Sequence, residues 1–132
     1  MGAYSRSKGI RFERDVARRI REYGLVCKRV LEYDGFSHGI DLQVYDPLDL
    51  KLISVGIQVK NTADLGDLYR GFLQAKAGWP DCRGWACIHR WSDPDRKPGQ
   101  FAVERIMVQM HTELEHSVVD WAGFLAFLEC CR

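Results

Sequence analysis

Two short runs of alternating apolar and polar residues, separated by a turn, constrain the fold of this chain most. The first run begins at Asp41 and continues to Tyr45, and the second extends from Leu52 to Lys60. Between them lies Asp46-Pro47-Leu48-Asp49, a sequence typical of a turn. Because alternation with a period of two is typical of β-strands, residues 41–60 are predicted to form a β-hairpin.

This hairpin is expected to bring three polar groups together. Side chains alternate across a strand, so Gln58 and Lys60 face one side of the second strand, while Ile57 and Val59 face the other. Antiparallel strands meet start to end, so Asp41 is expected beside Gln58 and Lys60. The pattern therefore predicts a carboxylate, an amide oxygen and an ammonium group in one patch.

The remaining pattern places helices and further strands around the hairpin. Apolar residues at three- and four-residue spacing predict a first helix that begins at Ser5 or Ser7 and ends near Tyr23, before Gly24. The other predicted elements are a strand over residues 25–31, a loop over 32–39, a helix over 65–77, strands over 83–91 and 100–110, and a last helix over 118–130. This order predicts a single α/β domain over residues 1–132, with a central mixed β-sheet flanked by helices.

Basic side chains are concentrated in residues 1–30, which carry nine lysines and arginines against three acidic residues. The rest of the chain is acidic overall. A basic segment of this kind is typical of a surface that binds a polyanion such as DNA. Charge alone fits a solvated helix face without a partner equally well.

Glu13 lies on the apolar face of the first predicted helix, near Ile10, Val16 and Ala17. A carboxylate in an apolar stripe is costly unless a metal ion, a cation or several donors meet it. Together with Asp41 and Gln58 it would supply hard oxygen donors, which hold Mg²⁺ or Mn²⁺. The alternative is a residue at the edge of the stripe that pairs with an arginine.

Two features bear on the cellular setting. The five cysteines are odd in number and form no CxxC pair, which argues against a disulfide framework and a structural zinc site. No run of about 18 apolar residues and no signal-peptide segment occur, so we expect a soluble, cytoplasmic protein.

The polar patch resembles a known signature. Gly39-Ile40-Asp41 followed by Ile57-Gln58-Val59-Lys60 is similar to the PD-(D/E)xK nuclease motif. The preceding Ser5-Arg6-Ser7-Lys8-Gly9, with Glu13-Arg14 on the first helix, resembles archaeal-type Holliday-junction resolvases. The resemblance covers roughly residues 5–90 and implies a restriction-endonuclease-like α-β-β-β-α-β core.

The resemblance also implies roles for single residues. Glu13 would be the helix carboxylate, Asp41 the metal-bridging aspartate and Lys60 the motif lysine. The metal would be Mg²⁺, with Mn²⁺ as a substitute. Two positions depart from the family pattern: Ile40 stands where a proline is typical, and Gln58 stands where Glu or Asp is usual. Glutamine still offers a carbonyl oxygen, but the lost charge is expected to weaken metal binding.

DNA contacts are expected from the basic helix and from the loop before Asp41. The candidate residues are Arg6, Lys8, Arg11, Arg14, Arg18, Ser37 and His38. The tryptophans Trp79, Trp85, Trp91 and Trp121 are a second candidate set, since indole rings stack on unpaired bases. Aromatic residues at strand and helix spacing are more often part of the core.

These expectations combine into a metal-dependent endodeoxyribonuclease that resolves four-way DNA junctions by paired phosphodiester hydrolysis, in recombination and repair. A homodimer is expected, because a junction presents two equivalent strands and because the last helix is apolar almost all round. The alternatives are another nuclease of the same superfamily, acting on mismatches, flaps or restriction sites, or a catalytically silent DNA-binding module.

Overall fold

The structure is a computed structural model that describes residues 3–30, 40–100 and 102–132, with the backbone alone for residues 3–7. Within these ranges the chain forms three helices and six strands. In chain order they are α1 (Ala3–Tyr23), β1 (Val26–Arg29), β2 (Leu42–Tyr45), β3 (Val55–Thr62), α2 (Asp67–Gly78), β4 (Gly84–Trp91), β5 (Val103–Met110), β6 (Ser117–Val119) and α3 (Trp121–Cys130).

The six strands form one mixed sheet in the order β1-β2-β3-β4-β5-β6. All neighbouring pairs are antiparallel except β3 and β4, which run parallel and are joined by α2. The predicted hairpin is present, with Leu42 opposite Ile57 and a further bridge between Tyr45 and Leu52. The expected α/β architecture with a mixed sheet flanked by helices is confirmed.

Helix α1 forms because its apolar residues fall on one face. Phe12, Val16 and Ile20 are at most 1% exposed and pack on the sheet. The helix ends at Gly24, whose φ of +118° is a conformation that glycine adopts without a steric penalty. The helix begins at Ala3, so the prediction that Ser5 or Ser7 caps its start is wrong.

The helices cover both faces of the sheet, with a separate apolar cluster on each. Residues of α1 and α3 pack with one face, where Ile57 and Val59 lie in the larger cluster. Residues of α2 pack on the other face, in a cluster that includes Phe72 and Cys87. Ile57 and Val59 thus point away from α2, as the alternation in β3 predicts.

The end of the chain differs from the prediction. Ser117–Val119 form the sixth strand, and α3 begins only at Trp121, with Asp120 as its N-cap accepting a 2.8 Å hydrogen bond from the Gly123 N–H. Two apolar residues in a row fit a helix or a strand, so sequence periodicity does not separate them. The predicted helix over 118–130 is therefore three residues too long at its start.

A homodimer is expected from the sequence in part because α3 is apolar almost all round, but most of its large apolar side chains are buried within this one chain. Phe124, Phe127 and Leu128 are 0%, 7% and 0% exposed within this single chain. The exposed positions on α3 are the small residues Ala122 and Ala126, together with Cys130. Substitutions at Phe124 are therefore expected to act on folding and not on a subunit interface.

We predict that Phe124→Ala lowers the free energy of unfolding by about 3–5 kcal/mol, because it leaves a cavity in the core. Urea denaturation followed by circular dichroism measures this change. Ala126→Ser, on the exposed face of the same helix, is the matched control and should cost only a few tenths of a kcal/mol. Unchanged stability of Phe124→Ala combined with altered sedimentation would contradict the core assignment.

Candidate functional site

Strands β2 and β3 diverge immediately beyond the Leu42–Ile57 pair, and Asp41 lies at this point. Its N–H donates to the Ile57 carbonyl at 2.7 Å, and its own carbonyl accepts from the Val30 N–H at 2.8 Å. Its carboxylate oxygen Oδ2 accepts a 2.7 Å hydrogen bond from the Val59 N–H. The side chain of Asp41 therefore takes the place of the next backbone partner of β3.

Glu13 of α1 lies against Asp41. Its Oε2 accepts a 3.0 Å hydrogen bond from Arg29 Nε of β1, and its side chain is 19% exposed. The Glu13 carboxyl group lies close enough to Asp41 to act on its protonation. Both interpretations of Glu13 thus apply, because it pairs with an arginine and lies beside the candidate metal ligand.

The environment of Asp41 raises its pKa to about 7. Burial is the largest cause, and the nearby charge of Glu13 adds to it. The Val59 N–H and the Lys60 ammonium act in the opposite direction but do not outweigh them. At neutral pH, without a bound cation, Asp41 therefore carries a proton far more often than an ordinary aspartate does.

Gln58 and Lys60 lie on the face of β3 that α2 covers, as predicted. The two are not equally accessible, since Gln58 is only 5% exposed and Lys60 is partly exposed. Gly71 of α2 lies directly above them, where a Cβ atom would be 3.2 Å from Lys60 Cγ and 3.3 Å from Gln58 Cγ. The same atom would be 2.6 Å from the Cys87 Sγ, so glycine is what allows α2 to approach this strand.

Gly71→Ala is accordingly expected to lower the free energy of unfolding by about 1–3 kcal/mol, because the added methyl group overpacks this contact. Gly9→Ala in α1 is the matched control, since no atom of the described residues lies within 4 Å of its Cβ position. That change should stabilise the protein by up to about 1 kcal/mol, because alanine favours the helix. Thermal unfolding of both variants tests the pair, and equal effects would contradict the close approach at Gly71.

A second polar group, not identified from the sequence, lies beside Lys60. His89 of β4 is opposite Lys60 in the parallel pair and is completely buried. Its Nε2 lies 3.2 Å from the Thr62 carbonyl, and Arg105 Nη2 lies 3.2 Å from its Nδ1. A guanidinium only donates, so Nδ1 is the acceptor and Nε2 carries the proton. Burial, together with the Arg105 charge, lowers the pKa of His89 and keeps it neutral.

Asp67 at the start of α2 completes this group. Its Oδ2 accepts a 2.6 Å hydrogen bond from the Thr62 hydroxyl. Burial opposes its ionisation, but hydrogen bonds from Thr62 and Arg70 prevail, with a contribution from Lys60, and its pKa is lowered. Lys60 thus lies in the electrostatic field of two carboxyl groups, those of Asp41 and Asp67.

The donor set at Asp41 bears on metal binding. In residues 3–30, 40–100 and 102–132, no group of three or more His, Cys, Asp or Glu side chains is placed to hold a metal ion. This is consistent with Gln58, which leaves Glu13 and Asp41 as the carboxylates of the patch. Two neighbouring carboxyl groups fit a divalent cation, because the ion offsets the repulsion between their charges.

The described residues among the predicted DNA contacts all lie on α1. Arg11, Arg14 and Arg18 are exposed along α1, and Arg18 pairs with Asp15 and Glu22. Lys8 donates a 3.0 Å hydrogen bond to the Ser92 hydroxyl. Ser37, His38 and the side chain of Arg6 lie outside the described residues.

No family model matches this chain, and no curated protein matches it. Among the described helices, none combines the length and the apolar character needed to cross a membrane. All five cysteines are free, in agreement with the sequence-based expectation. The function is therefore argued from the geometry at Asp41 and from the resemblance of the motif.

The raised pKa of Asp41 predicts a pH dependence of stability in metal-free protein. A carboxyl that binds its proton more tightly when folded favours the folded state at low pH. Its contribution to the free energy of unfolding is expected to fall as pH rises from about 4 to about 7, by up to about 4 kcal/mol in total.

Comparison with Asp41→Asn isolates this contribution, because asparagine does not titrate. The difference in unfolding free energy between wild type and variant should change between pH 4 and 8, and Mg²⁺ should restore wild-type stability at pH 8. Asp81→Asn, an exposed carboxylate on another loop, is the control. Parallel curves for wild type and Asp41→Asn would contradict the raised pKa.

Proposed function

We propose that this protein is a metal-dependent endodeoxyribonuclease that hydrolyses phosphodiester bonds in branched DNA, with four-way junctions as its main substrate. The observation that supports this most is that the Asp41 carboxyl group lies within the electrostatic influence of both Glu13 of α1 and Lys60 of β3. This is the set of residues that the resemblance to the PD-(D/E)xK motif implies. Glu13 lies in α1, Asp41 immediately before β2 and Lys60 in β3.

Each residue has a chemical role in this proposal. Glu13 and Asp41 would hold Mg²⁺, or Mn²⁺ in its place, with the amide oxygen of Gln58 as a further donor. Such an ion polarises a phosphodiester and lowers the pKa of an attacking water. Lys60 supplies a fixed positive charge that orients the substrate and offsets the charge developing on the phosphate.

The homodimer remains part of the proposal on the argument of symmetry. A four-way junction presents two equivalent strands, and a twofold enzyme offers two equivalent sites for paired incision. The buried apolar residues of α3 do not contribute to such an interface. Sedimentation in the presence and absence of junction DNA tests this part separately.

A catalytically silent DNA-binding module is the second candidate, and two observations favour it. Gln58 removes one negative charge from the motif, and the 3.0 Å ion pair with Arg29 offsets the charge of Glu13. Both changes reduce the attraction of the patch for a divalent cation. DNA binding without cleavage in any metal would support this candidate.

Cleavage of a panel of duplex, flap, splayed and four-way DNA in Mg²⁺ and in Mn²⁺ tests the proposal. Asp41→Asn and Lys60→Ala should each reduce the rate by about a hundredfold or more and leave DNA binding intact. Asp81→Asn and Lys51→Ala, two exposed residues elsewhere, are the matched controls. Near wild-type cleavage by either site variant would remove that residue from the active site.

Gln58 allows a second test of the same site. Gln58→Glu is expected to keep cleavage and to lower the Mg²⁺ concentration for half-maximal rate, because it adds a negative charge to the donor set. Gln58→Ala removes the oxygen and should lose most activity. A metal titration of cleavage compares the three proteins. If Gln58→Ala matches the wild type at every Mg²⁺ concentration, Gln58 is not a ligand.

A further inference from the structure

A groove of about 640 Å³ lies between the first half of α1 and the segment that follows β4. It opens at the carboxyl ends of the parallel strands β3 and β4, where Thr62 and Trp91 are opposite one another. The lining residues that bear on its function are Lys8, Arg11, Asn61, Arg90, Trp91 and Arg96. Its volume is typical of a site for a small ligand, for which about 300–1,000 Å³ is usual.

The groove carries an excess of positive charge. Among the described lining residues, Lys8, Arg11, Arg90 and Arg96 are basic and Asp93 is the one carboxylate. This excess makes the groove suitable for a phosphate group.

Arg90 is held rigidly in this lining. Its Nη2 lies 2.6 Å from a Glu104 carboxylate oxygen and 3.2 Å from an Asp15 carboxylate oxygen. Its guanidinium lies over the ring of Phe12, 4.3 Å from the centroid. Glu104 and Asp15 thus hold Arg90 in one orientation and offset its charge. The positive charge available to an anion therefore comes from Lys8, Arg11 and Arg96.

Asn61 carries an amide oxygen to which none of the described residues donates a hydrogen bond. Side chains alternate along β3, so Asn61 faces the groove on the α1 side, while Lys60 faces α2. Its Oδ1 is buried and has no hydrogen-bond partner among the described residues. An amide pairs well with the edge of a nucleobase, which presents a donor and an acceptor side by side.

Trp91, the last residue of β4, supplies a flat surface at the edge of this groove. It is partly exposed, and its indole N–H donates to the Ala63 carbonyl at 3.0 Å, which fixes the ring. Stacking of bases on such rings, next to cations that bind the backbone, is typical of single-stranded DNA recognition. Phe12 is not available for this purpose, because it is 1% exposed and covered by Arg90.

We propose that this groove binds one unpaired nucleotide of a DNA strand, with its phosphate on the cations and its base against Trp91 and Asn61. The choice of DNA rests on the proposed function. Asn61 directly follows Lys60 and faces the other side of the sheet, so the bound nucleotide lies across β3 from Lys60. The groove thereby selects DNA that has an unpaired nucleotide at a branch over continuous duplex, whose bases stay paired and stacked.

Binding of two fluorescent oligonucleotides tests this proposal without any cleavage. One is a 12-nucleotide deoxyadenosine strand, and the other has the same backbone with abasic sites. Fluorescence anisotropy with the complete chain in EDTA should show about fivefold or more tighter binding of the strand that carries bases. Equal affinity of the wild type for the two strands would overturn the proposal.

Variants of the groove residues test which side chains cause the preference for the strand that carries bases. Asn61→Ala and Trp91→Ala should each lose most of this preference and leave the affinity for the abasic strand unchanged, whereas Trp91→Phe should retain it. Arg96→Ala should weaken both complexes alike and reduce their salt dependence. Lys97→Ala, an exposed neighbour outside the groove lining, is the matched control and should change neither.

Asn61→Ala is also the variant that keeps the test secure, because it removes a buried acceptor without a partner and should not lower stability. Full preference for bases in folded Asn61→Ala would overturn the role of the amide. Cleavage that depends on Lys60 but comes without base preference would overturn the groove and leave the nuclease proposal intact. Base preference without cleavage would support the groove and count against the nuclease.

Discussion

The hydrogen bond from the Val59 N–H to the Asp41 carboxylate, 2.7 Å long, is the interaction on which the polar patch depends. It lies where β2 and β3 separate, beyond the Leu42–Ile57 pair. There the Asp41 side chain accepts the hydrogen bond from β3 that a backbone carbonyl of β2 would otherwise accept. The same position buries the carboxylate and brings it against Glu13, which together raise its pKa to about 7. The same Asp41 carboxyl group therefore both pairs with the backbone of β3 and has an unusually high pKa.

The parallel pairing of β3 and β4 has a comparable effect on the other polar groups. Carboxyl ends of parallel strands meet at one edge of a sheet, which is where ligands bind in many α/β proteins. Here that edge places Lys60 beside His89 on one face and Asn61 beside Arg90 on the other. Two different surfaces, a carboxylate patch and a cationic groove, thus lie back to back across a single strand.

Much of this could be predicted from local pattern. Period-two alternation gave the correct faces for Gln58 and Lys60, and the apolar spacing of α1 brought Glu13 to the sheet. The partners of these residues could not be predicted, because parallel pairing joins segments about 29 residues apart with no sequence signal for register. The buried His89 and the groove at Asn61 both follow from that register. The error at Val118 has a different cause, since an apolar pair fits a short strand as well as a helix.

The hydrogen bonds of the His89 imidazole bear on which metal ions could bind beside Lys60. An available histidine nitrogen or a thiolate next to an acidic site would favour zinc, nickel or copper. Here both ring nitrogens of His89 are engaged by Thr62 and Arg105, and burial raises the pKa of the neighbouring Cys87 thiol to about 12. This imidazole and this thiol are therefore withdrawn from coordination, so a cation bound as proposed would meet the oxygen donors of Glu13, Asp41 and Gln58 among the described residues.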